Sequence, residues 1–291
     1  MQSANILLCQ LEVSQRKDML REWVEAEEAW PQLERCWELM REENSDLVVI
    51  PETCYLEEYE EQYSEYSRGR IIVAGTAYDD AGINSAHVFK DGKHVVLRKI
   101  FTSPVEVMEL NHPNTRRPDE IVREWESRIV RGDIPEYFVE MPGGGLAAIL
   151  TCMDYYRLGY YIANSTVISP LLWGLVAPSS NGQQGLFLRL SQAMHDVCDR
   201  VYSIVVNSRD NSRPSGWDQG KSYVYGPITR NVKEHMRGLG QTDEHLSAIY
   251  RMGDGASALS MRLVPGGAIT FFARSQGFRS TPTHVREMPL K

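Results

Sequence analysis

Three short pieces of the chain each join an apolar run to a reactive side chain. They are Leu47-Val48-Val49-Ile50-Pro51-Glu52, Leu97-Arg98-Lys99 and Ala147-Ala148-Ile149-Leu150-Thr151-Cys152. A buried strand that ends in one polar group delivers that group to the edge of a sheet, where open α/β sheets bind their ligands. The three terminal groups are a carboxylate, an amine and a thiol. A base, a cation and a nucleophile are the parts of a site that cleaves amides through a covalent intermediate.

The composition indicates a soluble globular protein. The chain has 291 residues, of which 42% are apolar and 24% are charged. No repeat or low-complexity linker marks a boundary, so we predict a single domain over residues 1–291, with residues 255–291 as a C-terminal extension. The segment 167–178 is too short for a membrane span, which needs about 20 residues. The N-terminus lacks the basic start of a secretory signal, so we expect a cytoplasmic protein with no membrane partner.

Charge and cysteine spacing exclude other classes of site. The net charge of −8 argues against nucleic-acid binding, and the arginines of residues 116–131 alternate with acids, as in a solvated helix. The five cysteines include no CxxC pair, and no His/Asp/Glu cluster has the spacing of metal ligands. We therefore expect reduced thiols and no metal.

The pattern of apolar and turn residues predicts alternating helices and strands. Helices are predicted over residues 17–43, 56–68 (helix or loop) and 185–200, and strands over 71–78, 84–89, 94–101, 136–140, 146–151 and 201–206. Asp91-Gly92 predicts a tight hairpin, and Gly143-Gly144-Gly145 predicts a turn between strands, since no Lys-Ser/Thr follows it as in a phosphate loop. The polar segment 102–135 is a candidate lid.

The ordered set of these motifs resembles the nitrilase, or carbon–nitrogen hydrolase, superfamily over roughly residues 4–230. The motifs are the strand Asn5-Ile6-Leu7-Leu8-Cys9-Gln10, the strand before Glu52, Ile71-Ile72-Val73-Ala74-Gly75-Thr76, Asn84-Ser85-Ala86 with Asp91-Gly92 before Lys99, Cys152 with Asp154, and Val205-Val206-Asn207. The resemblance implies an α/β fold, a four-layer α-β-β-α sandwich. It also implies hydrolysis of a small-molecule amide without a cofactor. A homodimer or higher homo-oligomer is expected, with residues 155–161 and 255–291 contributing contacts.

The resemblance also assigns roles to residues. Cys152 would attack the carbonyl, and Glu52 would take the thiol proton and return it to the leaving nitrogen. Lys99 and the backbone N–H of Met153 would stabilise the oxyanion. Arg98, its strand neighbour, would face the other way.

The family also uses a second glutamate downstream of the lysine. Glu106 is the preferred candidate and Glu109 the alternative, since both follow Lys99 closely. Asp154 is expected to order the turn after Cys152, and we group it with Met153 and Tyr155 as oxyanion or substrate contacts. The segment Tyr155-Tyr156-Arg157-Leu158 departs from the family pattern, which places the chain in a divergent branch.

Several alternatives stay open at the level of sequence. The seven histidines are scattered and lie in no recognisable signature, which disfavours a Cys–His enzyme. The thioester could pass its acyl group to an amine in place of water. A non-catalytic binding or sensor module with the same fold is the alternative from another class. The identity of the substrate does not follow from the residues.

Overall fold

The computed structural model describes residues 3–17, 22–80, 82–102, 116–180, 190–191, 193–194, 201–211, 221–226, 248–253, 255–263 and 285–290. The described strands are β1 (Ala4–Gln10), β2 (Glu12–Val13), β3 (Gln15–Lys17), β4 (Glu22–Val24), β5 (Leu47–Val49), β6 (Ile71–Tyr78), β7 (Asn84–Lys90), β8 (Lys93–Arg98), β9 (Phe138–Glu140), β10 (Leu146–Ile149), β11 (Leu172–Ser180), β12 (Tyr202–Asp210), β13 (Tyr223–Tyr225), β14 (Ala248–Arg251), β15 (Ser257–Leu263) and β16 (Val285–Pro289). The longer described helices are α1 (Ala26–Glu42), α2 (Glu60–Tyr66), α3 (Pro118–Val130) and α4 (Met153–Asn164).

The strands form two large sheets and a small ribbon. Sheet 1 has the order β16-β15-β1-β5-β6-β7-β8, and sheet 2 has the order β14-β13-β12-β11-β10-β9 with β2 beside β12. The central strands run parallel, β1 with β5 and β6 in sheet 1, and β10 with β11 and β12 in sheet 2. Each sheet therefore has carboxyl ends of parallel strands at one edge, where ligands bind in such sheets.

The two sheets pack face to face, with helices outside. Side chains that alternate along the strands form the core between the sheets, including Leu8, Val49, Val73, Ile149 and Val206. The opposite side of sheet 1 packs on α1 and α2, and the opposite side of sheet 2 packs on α3 and α4. This arrangement confirms the predicted α-β-β-α sandwich.

The first helix starts later than the sequence pattern predicted. It was expected over residues 17–43, but α1 begins at Ala26, and Gln15–Lys17 pairs with Glu22–Val24 in a short antiparallel ribbon. Trp23 follows the spacing of the apolar residues that predicted the helix. It lies on the ribbon, however, and is 39% exposed. Two acids in the first turn, Glu27 and Glu28, favour the observed start because they complement the helix dipole.

Two predicted turns and one predicted surface helix are confirmed. Asp91 and Gly92 have φ values of 52° and 77°, as a two-residue hairpin turn requires. Gly143, Gly144 and Gly145 form the turn between β9 and β10. On α3, Arg123 pairs with Asp119 one turn away, as predicted for its solvated face. The opposite face, with Ile121, Val122 and Trp125, is buried against sheet 2.

The C-terminal segment contributes to sheet 1. β15 pairs along the whole of β1, and β16 pairs with β15. Within the predicted extension 255–291, Ser257–Leu263 and Val285–Pro289 thus supply part of the fold. The use of this segment in oligomer contacts stays a prediction. Most of the helix predicted over 185–200 lies outside the described residues. Within the described ranges, none of the helices is both long and apolar enough to cross a membrane.

Candidate active site

Glu52 follows β5 and is held by a close approach of β6. The N–H of Ile50 donates to the Val73 carbonyl at 2.8 Å, and the N–H of Thr53 donates to the Thr76 hydroxyl at 2.9 Å. Gly75 makes this approach possible: its φ is +89°, and a Cβ there would lie 2.5 Å from the Pro51 carbonyl oxygen. The apolar strand and the glycine together place the Glu52 carboxylate inside the molecule.

Lys99 follows β8 and forms a buried ion pair with Glu52. Its Nζ lies 3.1 Å from Glu52 Oε1, and the two side chains are only 3% and 4% exposed. Arg98 is exposed and lies 3.3 Å from Asp79 at the surface. The expectation that these two neighbours face opposite ways is confirmed. Two buried charges can persist because each compensates the other, and removal of one partner would leave an unpaired charge.

Asn84 also contacts Glu52, a contact that the sequence reasoning did not identify. Asn84 Nδ2 donates to Glu52 Oε1 at 2.7 Å, and the Asn84 carbonyl accepts the N–H of Lys99 at 2.9 Å. In the sequence, Asn84 was noted only within the motif Asn84-Ser85-Ala86, as part of the hairpin before Lys99. That type of position does not by itself indicate a catalytic neighbour.

Cys152 occupies a strained turn between β10 and α4. Its φ is 41° and its ψ is −98°, in a region that non-glycine residues rarely adopt and that costs about 1–3 kcal/mol. The side chain is partly exposed at the start of α4. The positive end of the helix dipole favours a thiolate at such a position. The turn thus presents the thiol at the sheet edge.

Strand β11 brings Cys152 and Glu52 to the same place. The N–H of Cys152 donates to the Pro178 carbonyl at 3.1 Å, and the N–H of Glu52 donates to the Ser179 carbonyl at 3.3 Å. Pro178 and Ser179 are consecutive residues, and consecutive Cα atoms lie about 3.8 Å apart. The end of one strand in sheet 2 therefore holds the backbone of both residues.

Asp154 connects the cysteine turn to the lysine segment. Its buried carboxylate accepts the N–H of Ile100 through Oδ1 and Oδ2, at 3.0 and 2.9 Å, and the N–H of Phe101 at 2.7 Å. These contacts hold the two residues that follow Lys99, which agrees with an ordering role for Asp154. Met153 is the first residue of α4, and the first N–H groups of a helix have no intrahelical partner. Its N–H is thus suited to an oxyanion.

The structure corrects the role of Tyr155. This side chain is fully buried in the core of sheet 2 and α4, and its hydroxyl lies 2.6 Å from the Ser191 hydroxyl. Burial raises the pKa of the Tyr155 hydroxyl. The helical period turns Tyr155 toward the sheet, so it supports α4 and is not placed as a substrate contact.

The other described cysteines are unsuited to nucleophilic attack. Cys9, Cys36 and Cys54 are buried free thiols. Burial raises the pKa of Cys54, and burial together with the neighbouring Cys9 raises the pKa of Cys36. The Cys36 and Cys54 thiols therefore stay protonated. Cys9 is fully buried, so a substrate does not reach it. Cys198 lies outside the described residues.

The described histidines and acids form no metal centre. No group of three or more His, Cys, Asp or Glu side chains in the described part of the chain could hold a metal ion. Glu106 and Glu109 fall in residues 103–115, outside the described residues, so the choice between them stays a prediction.

No protein-family model and no curated protein matches this chain. Solved structures do match. Nit3 of Saccharomyces cerevisiae, a member of branch 10 of the nitrilase superfamily, is 19% identical with a TM-score of 0.56, and 91% of each chain is covered. A Glu-to-Gln variant of the amidase from Nesterenkonia sp. AN1 is 13% identical with a TM-score of 0.56, and 90% of each chain is covered.

A third similar structure is the C. elegans NitFhit protein, at 15% identity and a TM-score of 0.61. The match covers 91% of this chain and 61% of that one. At such identities the likeness concerns the fold alone. The chain therefore has the fold of the nitrilase superfamily.

Proposed function

We propose that this protein hydrolyses a non-peptide carbon–nitrogen bond, an amide of a small molecule, through a thioester on Cys152. The main support for the proposal is the buried Glu52–Lys99 ion pair. The backbone of Glu52 is bonded to β11 next to the residue that bonds the strained Cys152 turn. A structural scaffold gains nothing from two charges in its interior, because burying them costs desolvation free energy. This argument also disfavours the non-catalytic binding or sensor module.

The acylation half of the reaction begins with proton transfer from the Cys152 thiol to Glu52. The thiolate attacks the amide carbon and forms a C–S bond, while Lys99 and the Met153 N–H stabilise the oxyanion. The C–N bond then breaks, and Glu52 returns the proton to the leaving nitrogen. Protonation is required because an amide anion is a very poor leaving group.

The deacylation half releases the acid. Glu52 takes a proton from water, and the resulting hydroxide attacks the thioester carbon. The C–S bond breaks, the acid leaves, and the thiolate recovers the proton from Glu52. An amine that enters in place of water would give acyl transfer, which is the alternative outcome.

A similar structure supports the nucleophilic role of the cysteine by analogy. A variant of the Nesterenkonia amidase carries the acetamide moiety of fluoroacetamide, covalently added at its active-site cysteine. That adduct is a property of the amidase. We carry it to this chain as the proposal that Cys152 reacts in the same manner.

Intact-mass spectrometry tests the proposal. The protein is incubated with fluoroacetamide and with a panel of small amides, and the position of any adduct is mapped by peptide fragmentation. We expect an adduct on Cys152 in the wild type, none in Cys152→Ala, and an unchanged adduct in Cys54→Ala. An adduct that persists in Cys152→Ala would contradict the assignment. Addition of hydroxylamine traps the acyl group as a hydroxamate and so reports the thioester, whereas release of the free acid when no amine is added indicates hydrolysis.

We also propose that the protein forms a homodimer. Tyr160 and Tyr161 on α4 are 37% and 41% exposed. Exposed aromatic side chains on a helical layer suit a symmetric interface between two copies. Light scattering at micromolar concentration is expected to give at least twice the mass of the chain, and Tyr160→Ser together with Tyr161→Ser is expected to shift it toward the monomer. A monomeric mass for the wild type would contradict the proposal.

A further inference from the structure

We propose that Asn84 is a positioning residue that couples the base to the lysine and directs a hydrogen-bond donor at the Glu52 carboxylate. This inference rests on the proposed function of the site. Its evidence is independent of the comparisons, since it comes from hydrogen bonds made by one residue of β7.

Asn84 contacts both charged groups of the site in different ways. Its side-chain Nδ2 donates to Glu52 Oε1 at 2.7 Å, the same oxygen that Lys99 Nζ approaches at 3.1 Å. Its backbone carbonyl accepts the N–H of Lys99 at 2.9 Å. A displacement of Asn84 would therefore move the carboxylate and the backbone of the lysine together.

The orientation of the amide follows from the chemistry of its neighbour. An ionised carboxylate only accepts hydrogen bonds, so the amide must turn Nδ2 toward Glu52 and Oδ1 away from it. Oδ1 is then buried without a hydrogen-bond partner among the described residues, and the side chain is only 2% exposed. An unpaired buried oxygen is unfavourable. The amide keeps this orientation because Nδ2 donates to the Glu52 carboxylate. This is expected if the site requires the donor at that position.

A donor to a carboxylate favours its ionised form, because the hydrogen bond is stronger to the anion than to the neutral acid. Glu52 must be ionised to receive the thiol proton. Loss of the Asn84 donor is therefore expected to move the acid limb of any Cys152-dependent rate to higher pH. A residue that only fills space would lower the rate, and would leave the position of the limb unchanged.

One substitution separates the hydrogen bond from packing. Asn84→Leu keeps the approximate volume and removes the donor. Ser85→Ala, on the same strand and next in sequence, is the matched control.

The experiment measures the rate of Cys152 alkylation by iodoacetamide against pH, followed by intact mass, together with the melting temperature. In Asn84→Leu, we expect the acid limb to move upward by about one pH unit, the shift that corresponds to loss of one charge-assisted hydrogen bond. We expect Ser85→Ala to match the wild type. An unmoved limb in a folded Asn84→Leu would overturn the inference.

This readout does not require turnover. If the wild type alkylates at Cys152 but hydrolyses no amide, the proposed hydrolase function fails while the role of Asn84 is still tested. If amides are hydrolysed and the limb does not move, the role of Asn84 fails alone. Where an amide substrate is found, the pH profile of kcat/KM is expected to show the same upward shift in Asn84→Leu.

Discussion

The two sheets contribute to the candidate site by different physical means. Sheet 1 supplies Glu52, Lys99 and Asn84, which are held by charge and by side-chain hydrogen bonds in a buried environment. Sheet 2 supplies Cys152, which is held by its backbone: a positive φ, a hydrogen bond to β11 and the start of a helix. In sheet 1 the reactive side chains stabilise one another through direct contacts. In sheet 2 the backbone positions the Cys152 side chain, and that side chain contributes little to the stability of the fold.

This difference makes a general prediction about variants. Changes on the sheet 1 side are expected to affect activity and stability together, because each removes a partner of a buried polar group. A change of the thiol on the sheet 2 side is expected to affect activity alone. The predictions below test this contrast, from the largest expected effect to the smallest.

Cys152→Ala is expected to abolish turnover without lowering the melting temperature. The thiol is partly exposed at the end of a strand, so its truncation removes the nucleophile and few core contacts. Activity and thermal unfolding are measured on the same preparation. Residual activity in a preparation free of wild type would contradict the covalent mechanism. A large loss of stability would contradict the proposed difference between the two sheets.

Lys99→Met is expected to lower kcat/KM by at least about 10²–10³-fold, the cost of removing one oxyanion donor. It is also expected to lower stability by about 3–5 kcal/mol, because the Glu52 carboxylate is left buried and unpaired. Arg98→Met, its exposed neighbour, serves as the control and is expected to change neither quantity.

A double variant sharpens this prediction. Glu52→Gln combined with Lys99→Met removes both charges, so it is expected to recover stability relative to Lys99→Met while activity stays lost. Urea unfolding and steady-state kinetics provide the two measurements. Equal losses of activity and stability in Arg98→Met and Lys99→Met would contradict the assignment of the two side chains to opposite sides of the strand.

The second glutamate is expected to be Glu106, which lies seven residues after Lys99 and two after Pro104. Glu106→Gln is expected to lower kcat/KM about a hundredfold through loss of an orienting contact to Lys99 and the substrate. Glu109→Gln is the matched comparison and is expected to be near wild type. The reverse pattern would assign the role to Glu109.

Asp154→Asn tests the connection between the sheets. Its carboxylate accepts the N–H groups of Ile100 and Phe101, and an amide nitrogen would oppose at least one of those donors. Loss of a charge-assisted hydrogen bond of about 1.5–3 kcal/mol predicts a fall in kcat/KM of about tenfold and a lower melting temperature. Asp133→Asn, at an exposed acid paired with Arg128, is the control and is expected to have no effect on activity. Equal effects of the two substitutions would remove Asp154 from the site.

His87 gives a prediction for stability on the outer side of sheet 1. Burial, followed by the neighbouring His94, lowers the pKa of His87 from 6.5 to about 4. Between these values the unfolded chain binds a proton that the native protein does not, so stability falls as the pH falls through this range. The full contribution is on the order of 1–3 kcal/mol, present above pH 6.5 and lost toward pH 4.

Urea unfolding at several pH values checks this sign. His87→Gln is expected to lose less stability than the wild type between pH 7 and pH 4.5, with unchanged activity at pH 7. His87 stacks on Tyr55 with a centroid distance of 3.7 Å, so the substitution can lower stability at every pH. The test is therefore the slope of stability against pH, and equal slopes in both proteins would contradict the prediction.

The sequence by itself determined the elements that carry the reactive groups, and its resemblance to the nitrilase superfamily implied the four-layer fold. The apolar runs before Glu52 and Cys152 and the Asp91-Gly92 hairpin before Lys99 are local features, and each specifies a strand end or a turn through the chemistry of a few neighbours. The opposite facing of Arg98 and Lys99 also follows from strand geometry alone. These predictions succeeded because the controlling interactions span only a few residues.

Only the tertiary structure decided which groups meet. Asn84 reaches Glu52 across 32 residues of sequence, and Asp154 reaches Ile100 across 54. The first contact depends on the order of the strands within sheet 1, and the second depends on the packing of the two sheets. No local pattern encodes either of them. The burial of Tyr155 and the start of α1 at Ala26 were missed for the same reason, because each depends on what an element packs against. The residues of the site could be named from their strands, whereas their connections required the folded chain.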